Sequence, residues 1–526
     1  MIENIRIIIN EFGGKTDVLF IGLFTISFFL INSLIKNNKL RITFSIFSGM
    51  FVILQLASLY FSRSFIGYQF FVHFNLSSAD GMIGLYIPQV FISTGLLIIL
   101  ILLFYGSRTF IYEKPISLFK NNSYPQKATK INLVIITLCF GIILTEGSFL
   151  SETKSLLFIF YTNKAPVPFE KVLEKYEMND YITPGKINCK KGKNIIVISL
   201  ESLEKAFLFG KFSTLTPNLQ KLKSKWNYYN LEQNSGSGWT SGSLYTYLTG
   251  FPAYLGIRGN SIFKSSYHSK ISSISHVLEK AGYNITYMNG NTNNAGIKEM
   301  LQALHFDKII DQRNVKDTGF NSCYGIRDKD LFELAKNEIE KQSSMDQPFA
   351  VFISTTDTHF PNGIYDSRME GIISKKDTDF NFMISAVDYM IDDFISFLNK
   401  KDFLSNTTVY IFPDHLKMGD PSMFNNTGDR GLYIITNAEK EALSVDTSET
   451  LYQIDLPKII LKGAKVEHNL KFLTDYISGD KNEYIKNHII QITEINTNGF
   501  LRHDSKAILF SKNDIGDSAT QVQGRL

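Results

Sequence analysis

The chain has 526 residues, 44% of them hydrophobic and 20% charged, with a formal net charge of +4. This composition excludes wholesale disorder, because a disordered chain lacks the apolar residues to bury. The charge is far too small for a nucleic-acid-binding stripe, so nucleic acid is not expected as a partner.

Four apolar runs open the chain, at about 18–35, 42–62, 85–106 and 131–150. Each comes near the roughly 20 residues needed to cross a hydrocarbon core of about 30 Å. The fourth is interrupted by Glu146. Basic residues gather between the first and second runs (Lys36, Lys39, Arg41) and between the third and fourth (Arg108, Lys127 and Lys130 among them). The positive-inside rule places those two loops in the cytoplasm, and therefore the N-terminus and everything after residue 150 on the other side. Residues 1–150 read as a transmembrane domain and 151–192 as a juxtamembrane linker. Within that linker SLLFIFY (155–161) is too short to cross; it lies along the bilayer surface or extends the last helix. Cys139, Cys189 and Cys323 lie too far apart for a zinc knuckle or a disulfide framework.

From residue 193 short apolar runs alternate with helical patterns. NIIVISL (194–200), NITYM (284–288), FAVFIS (349–354) and TTVYIF (407–412) read as buried strands. Helical periodicity occupies 271–282, stopped by Gly282, and the stretch near 380–400. Strands alternating with helices predict an α/β domain with a mostly parallel central sheet over 193–465. Residues 466–526 read as a C-terminal extension without an assigned role.

Ligands of an open parallel sheet sit beyond the carboxyl ends of its strands. Glu201, Ser202 and Glu204 follow the first strand, Asn289 closes the second, Asp357 and His359 follow the third, and Asp414 and His415 follow the fourth. Glu201, Asp414 and His415 could together hold one divalent cation, because carboxylate oxygen with imidazole nitrogen suits zinc or manganese. Taken alone, Asp414–His415 is more often a solvated turn. NSGSGWTSGS (234–243) lets backbone pass close to a ligand. Thr240 and Ser241 then open a helix whose N–H groups favour phosphate; the plain alternative is a helix cap.

The ordered set SLESLEKAF (199–207), GSGWT (236–240), YGIRDKDLF (324–332), DTHFPNG (357–363) and DHLKM (414–418), with SADG (78–81) in the second loop, resembles the lipoteichoic-acid synthase and phosphoglycerol transferase enzymes of the alkaline phosphatase–sulfatase superfamily. The resemblance implies metal ligands at Glu201, Thr240, Asp414 and His415. Thr240 is then also the nucleophile, and His359 meets the head group or aids proton transfer. It implies Lys298 and Asn289 at the donor head group, although Asn289 stands where lipoteichoic-acid synthases carry a histidine. Trp239, Arg258 and Asp357 join them as candidate substrate contacts. The implied cofactor is one divalent ion, manganese favoured over zinc or magnesium. The implied reaction moves glycerol phosphate from phosphatidylglycerol to a hydroxyl of a periplasmic or surface glycan through a covalent threonine intermediate. The expected setting is the lipid bilayer of a bacterial inner membrane, with the catalytic domain outside the cytoplasm. Two rivals stand beside this reading: a phosphoethanolamine transferase acting on lipid A or glycan, and a catalytically inactive membrane-anchored binding protein.

Overall fold

The computed structural model describes residues 15–500 apart from 63–64, 69, 71–86, 114–123, 146–147, 162–166, 266–268, 307, 316–318, 323, 361, 419–420, 425–429 and 444–448. SADG (78–81), Glu146, Cys323 and residues 501–526 of the expected extension lie outside the described residues.

Four helices, α1 (Lys15–Leu34), α2 (Asn38–Ser62), α3 (Ile87–Arg108) and α4 (Tyr124–Thr145), are long and apolar enough to cross a membrane. α3 is apolar on nearly every side, and Phe91, Ile92 and Leu102 are well over half exposed, as a lipid-facing helix requires. Phe24 and Phe28 of α1 meet Phe51 of α2 edge to face, at 5.2 and 5.4 Å between ring centroids. The fourth span begins seven residues earlier than the expected 131 and ends at Thr145; α5 (Ser148–Tyr161) follows as a separate helix.

The half of the chain after residue 193 is built on a seven-stranded sheet. Its strands are β1 (Asn194–Leu200), β2 (Asn227–Leu231), β3 (Asn284–Asn289), β4 (Lys308–Ile310), β5 (Phe349–Ser354), β6 (Thr407–Pro413) and β7 (Leu432–Thr436). They lie in the order β2-β7-β6-β1-β5-β3-β4. β6, β1, β5, β3 and β4 run parallel, while β7 is antiparallel to both β6 and β2. The four strands read from sequence are the central ones, covered on both faces and therefore uninterrupted in their apolar character. Their covering helices include α6 (Pro217–Lys225), α7 (Thr240–Thr249), α8 (Ile274–Lys280), α9 (Ile297–Ala303), α10 (Asp328–Ser343) and α11 (Asp379–Lys400).

Parts of two segments outside 193–465, the linker and the C-terminal extension, belong to this core. Phe169, Val172 and Tyr181 of the linker are buried in it. So are Ile492, Ile495 and Phe500 of α12 (Ile489–Phe500), where Asn496 accepts from the Tyr245 hydroxyl at 2.9 Å and donates to the Pro252 carbonyl at 2.8 Å. The described part of the expected extension thus braces the turn that leaves α7.

A candidate metal and nucleophile site at the strand ends

Register sets the first two ligand positions. Leu200 of β1 lies opposite Pro413 of β6, so the next residues, Glu201 and Asp414, leave neighbouring strands side by side. The bend after Pro413 then turns His415 back toward them. Glu201, Asp414 and His415 are 2%, 3% and 1% exposed, and one donor atom from each falls within 4.8 Å of the others. His415 Nε2 stands 3.5 Å from Glu201 Oε1, 3.4 Å from Asp414 Oδ2 and 3.4 Å from Thr240 Oγ1. The Thr240 hydroxyl donates to Glu201 Oε2 at 3.1 Å. Four groups from three separate stretches of the chain therefore meet around one point.

The surroundings fix these groups for cation binding. His415 Nδ1 lies 2.8 Å from the Leu416 carbonyl, which assigns the proton to Nδ1 and leaves the Nε2 lone pair facing the cluster. Asp414 Oδ1 accepts from the backbone N–H of Ser202 and of His415, at 2.9 and 2.7 Å, leaving Oδ2 free to face inward. Ser202 donates its hydroxyl to Glu201 Oε1 at 2.7 Å from a left-handed backbone, φ +54°. Burial and the neighbouring Glu201 charge raise the Asp414 carboxyl to about 7. Burial also pushes Glu201 upward, but His415 and His359 outweigh it and hold its carboxyl below the ordinary range. His415 is raised: burial opposes its charge, and Asp414 with Glu201 overcomes that. Two buried carboxylates facing one imidazole and one hydroxyl form a donor set that fits a divalent cation.

Thr240 is the first residue of α7. Trp239 before it is extended, at φ −149° and ψ 158°, and Gly250 ends the helix at φ +75°. The hydroxyl therefore sits where helix N–H groups are unpaired and the dipole is positive. Glycines make this geometry. A Cβ on Gly242 would lie 2.5 Å from the Trp239 ring, and one on Gly238 would lie 2.7 Å from Gln233 Nε2.

His359 reaches the same edge from β5. Its Nδ1 lies 2.7 Å from the Phe360 carbonyl, and its ring lies on that of Tyr324 at 4.3 Å between centroids. Nδ1 thus carries the proton in the neutral ring, and Nε2 carries the lone pair.

Several expected substrate contacts are placed differently. Trp239 and Asn289, both 4% exposed, are packed into the protein. Trp239 Nε1 donates to Ser241 Oγ at 3.1 Å, while Asn289 donates to the Ser354 carbonyl and accepts from the Asn291 N–H. Asp357 is fully buried; one carboxylate oxygen accepts from Arg327 Nε at 2.7 Å and the other from the Asp328 N–H at 3.1 Å. These three side chains shape the strand-end loops from behind. Lys298 lies on α9, beside a surface hollow lined by Gln302, Phe306 and Arg313. It belongs to the β3–β4 edge, two strands from β1, or about 10 Å across the sheet. Arg258 is exposed on the segment leaving α7.

Other residues hold the site without a sequence signal. Gln453 donates to the Asp414 carbonyl at 2.6 Å from 39 residues further along the chain. The buried Glu204 carboxylate accepts a two-pronged pair from Arg430, at 2.8 and 2.7 Å, and the Lys417 N–H at 2.9 Å, tying down the segment after His415.

Residues 193–456 match the Sulfatase family. Phosphoglycerol transferase I of Escherichia coli is 26% identical over 277 residues, 49% of this chain and 36% of that protein, and its Shigella boydii counterpart matches to the same extent. The chain spans about a third of the length of these curated relatives. Among solved structures, the lipoteichoic acid synthase LtaP of Listeria monocytogenes is 15% identical, covering 63% of this chain and 82% of its own, with a TM-score of 0.44. The lipooligosaccharide phosphoethanolamine transferase A of Neisseria meningitidis is 12% identical, covering 81% of this chain and 84% of its own, with a TM-score of 0.46.

Proposed function

The chain belongs to the sulfatase family, and from that premise we propose that it is a membrane-anchored, metal-dependent phosphoglycerol transferase. Its donor is phosphatidylglycerol and its acceptor a hydroxyl of a periplasmic or cell-surface glycan. One observation carries the reading: Glu201, Asp414 and His415 converge on the hydroxyl of Thr240 at the start of a helix. The names of the curated relatives agree with it.

Glu201, Thr240, Asp414 and His415 would hold one divalent cation, with manganese favoured and zinc or magnesium the alternatives. When bound, that ion lowers the pKa of the threonine hydroxyl and neutralises phosphoryl charge in the transition state. Thr240 Oγ1 attacks the donor phosphorus, forming a threonine–phosphoglycerol ester as the bond to the diacylglycerol oxygen breaks. His359 Nε2 takes the Thr240 proton and delivers it to that leaving oxygen. Diacylglycerol stays in the bilayer. The acceptor hydroxyl then attacks the same phosphorus and passes its proton through His359 to Thr240 Oγ1, which leaves as the free hydroxyl. The unpaired N–H groups at the start of α7 stabilise the phosphoryl oxygens in both steps.

Mass spectrometry of the full chain incubated with phosphatidylglycerol and Mn²⁺ tests the reading. An adduct of about 154 Da on Thr240, expected for a ping-pong transfer, and its loss in Thr240→Ala support it. Intact lipid and an unmodified Thr240 sink it. An adduct formed only from phosphatidylethanolamine would replace the donor by that of the rival transferase. The absence of any adduct despite bound metal would favour the inactive binding protein.

A further inference from the structure

Tyr68, six residues beyond the end of α2, lies inside the domain that carries the candidate site. Tyr68 is only 3% exposed and is buried among catalytic-half side chains. Its hydroxyl donates to the Ala253 carbonyl at 2.9 Å and accepts from the Leu255 N–H, bridging the turn that leaves α7. Its ring meets Tyr254 at 5.2 Å and Trp239 at 6.4 Å between centroids. Tyr254 reaches back to the loop entering α7, where its hydroxyl lies 2.6 Å from Ser235 Oγ. One tyrosine from the membrane half therefore touches both ends of the nucleophile's helix.

Trp239 transmits that contact. It precedes Thr240 directly, and its indole is wedged between the Tyr68 ring and the first turn of α7, where Gly242 has no room for a Cβ. A second contact lies across the site: Tyr60, near the end of α2, meets Phe360 edge to face at 6.1 Å, and Phe360 follows His359. Tyr60 at the end of α2 and Tyr68 just beyond it thus bracket the neighbours of both candidate catalytic residues. A donor whose scissile phosphate is fixed at the headgroup plane requires such a device, because a displacement of about 1 Å from the reactive geometry can cost a factor of about 100 in rate.

We propose that Tyr68 is a positioning residue, which couples the membrane half to the helix bearing Thr240 and sets the height of the nucleophile above the bilayer. This rests on the reading of Thr240 as nucleophile.

The chain has two tryptophans, so Trp226→Phe leaves Trp239 as the only indole reporter. The full chain, loaded with Mn²⁺ in phosphatidylglycerol vesicles, is compared with Tyr68→Ala and Tyr68→Phe in that background. Trp239 emission, diacylglycerol release and melting temperature are recorded. In Tyr68→Ala the emission is expected to move to longer wavelength as water reaches the indole. Its kcat should fall by about tenfold or more while KM for the lipid stays within about twofold, the pattern of misplaced chemistry rather than lost binding. Tyr68→Phe should keep the emission and lose a smaller part of kcat. Unchanged emission in a folded Tyr68→Ala, or a loss confined to KM, overturns the proposal. If Tyr68→Ala does not fold, Tyr68→Phe decides: reduced kcat at constant KM supports the coupling, and wild-type kcat refutes it. Failure of the donor reading is recognised separately, because the parent chain would then release no diacylglycerol while the emission comparison still decides the coupling.

Discussion

Ser202 holds a φ of +54° while buried between the two clustered carboxylates. A non-glycine residue in that region costs on the order of 1 kcal/mol or more. Here the strain accompanies two contacts: the N–H to Asp414 Oδ1 and the hydroxyl to Glu201 Oε1. Ser202→Gly separates the two effects, since glycine takes this backbone freely and keeps the N–H while the hydroxyl is lost. The melting temperature of the metal-free variant should equal or exceed that of the parent. Its affinity for Mn²⁺, measured by calorimetry, should fall by about tenfold, as for loss of a group that orients a ligand. Unchanged affinity would show that Glu201 holds its place without the hydroxyl. The contrast with Glu201, Asp414 and His415 marks what a sequence exposes at this scale. Those three were legible because they lie in the first two residues after a strand, and Thr240 because glycines precede it. Ser202 was visible only as a neighbour. The Gln453 contact with the Asp414 carbonyl, and the Arg430 clasp on Glu204 from 226 residues away, depend on packing that no local pattern records.

Elements differ in the same way. β1, β3, β5 and β6 were legible because central parallel strands are apolar throughout. β2 and β4 were not: NYYNL carries only Leu231 as a buried residue, and KII has three residues, so neither has a pattern to detect. β4 matters to the site through Asp311, the residue directly after it. Asp311, fully buried, accepts from the backbone N–H and hydroxyl of Thr292 and from the Arg313 guanidinium, and so shapes the loop between β3 and α9, the helix that carries Lys298. Burial pushes its carboxyl up, but these donors outweigh burial and lower it to about 2. A depressed folded value means that the stabilisation is complete above about pH 4 and is lost as the pH falls through about 2. Asp311→Ala should therefore cost about 2 kcal/mol at neutral pH. The gap in melting temperature from the parent should narrow as the pH is lowered below about 4. A gap independent of pH would show that packing, and not the charge, orders the loop. Gly290 and Gly325 mark a second constraint on this edge: a Cβ on Gly325 would lie 1.9 Å from the Gly290 carbonyl oxygen. Because Gly325 also sits at φ +88°, Gly325→Ala should cost about 1–3 kcal/mol through overpacking and backbone strain. Chemical denaturation would read this as a lower midpoint.

At the scale of the whole molecule, two independent features point to one orientation. The basic loop Lys36–Arg41 stands at the start of α2. The catalytic domain meets the other end of that helix, through Tyr60 on Phe360 and then Tyr68 on the turn after α7. If the basic end faces the cytoplasm, the catalytic half lies on the opposite side, at the headgroup level where a phospholipid phosphate sits. Single cysteines test this in a background where Cys139, Cys189 and Cys323 are alanine. Asn399→Cys on the exposed face of α11 and Lys39→Cys at the basic start of α2 both occupy exposed positions. A membrane-impermeant maleimide added to intact spheroplasts should label the first and spare the second. Permeabilisation should make both reactive. Labelling of Lys39→Cys in sealed cells would invert the topology. It would also remove the catalytic half from the compartment of any periplasmic or surface glycan, so the proposed acceptor would fall even if the chemistry at Thr240 stood.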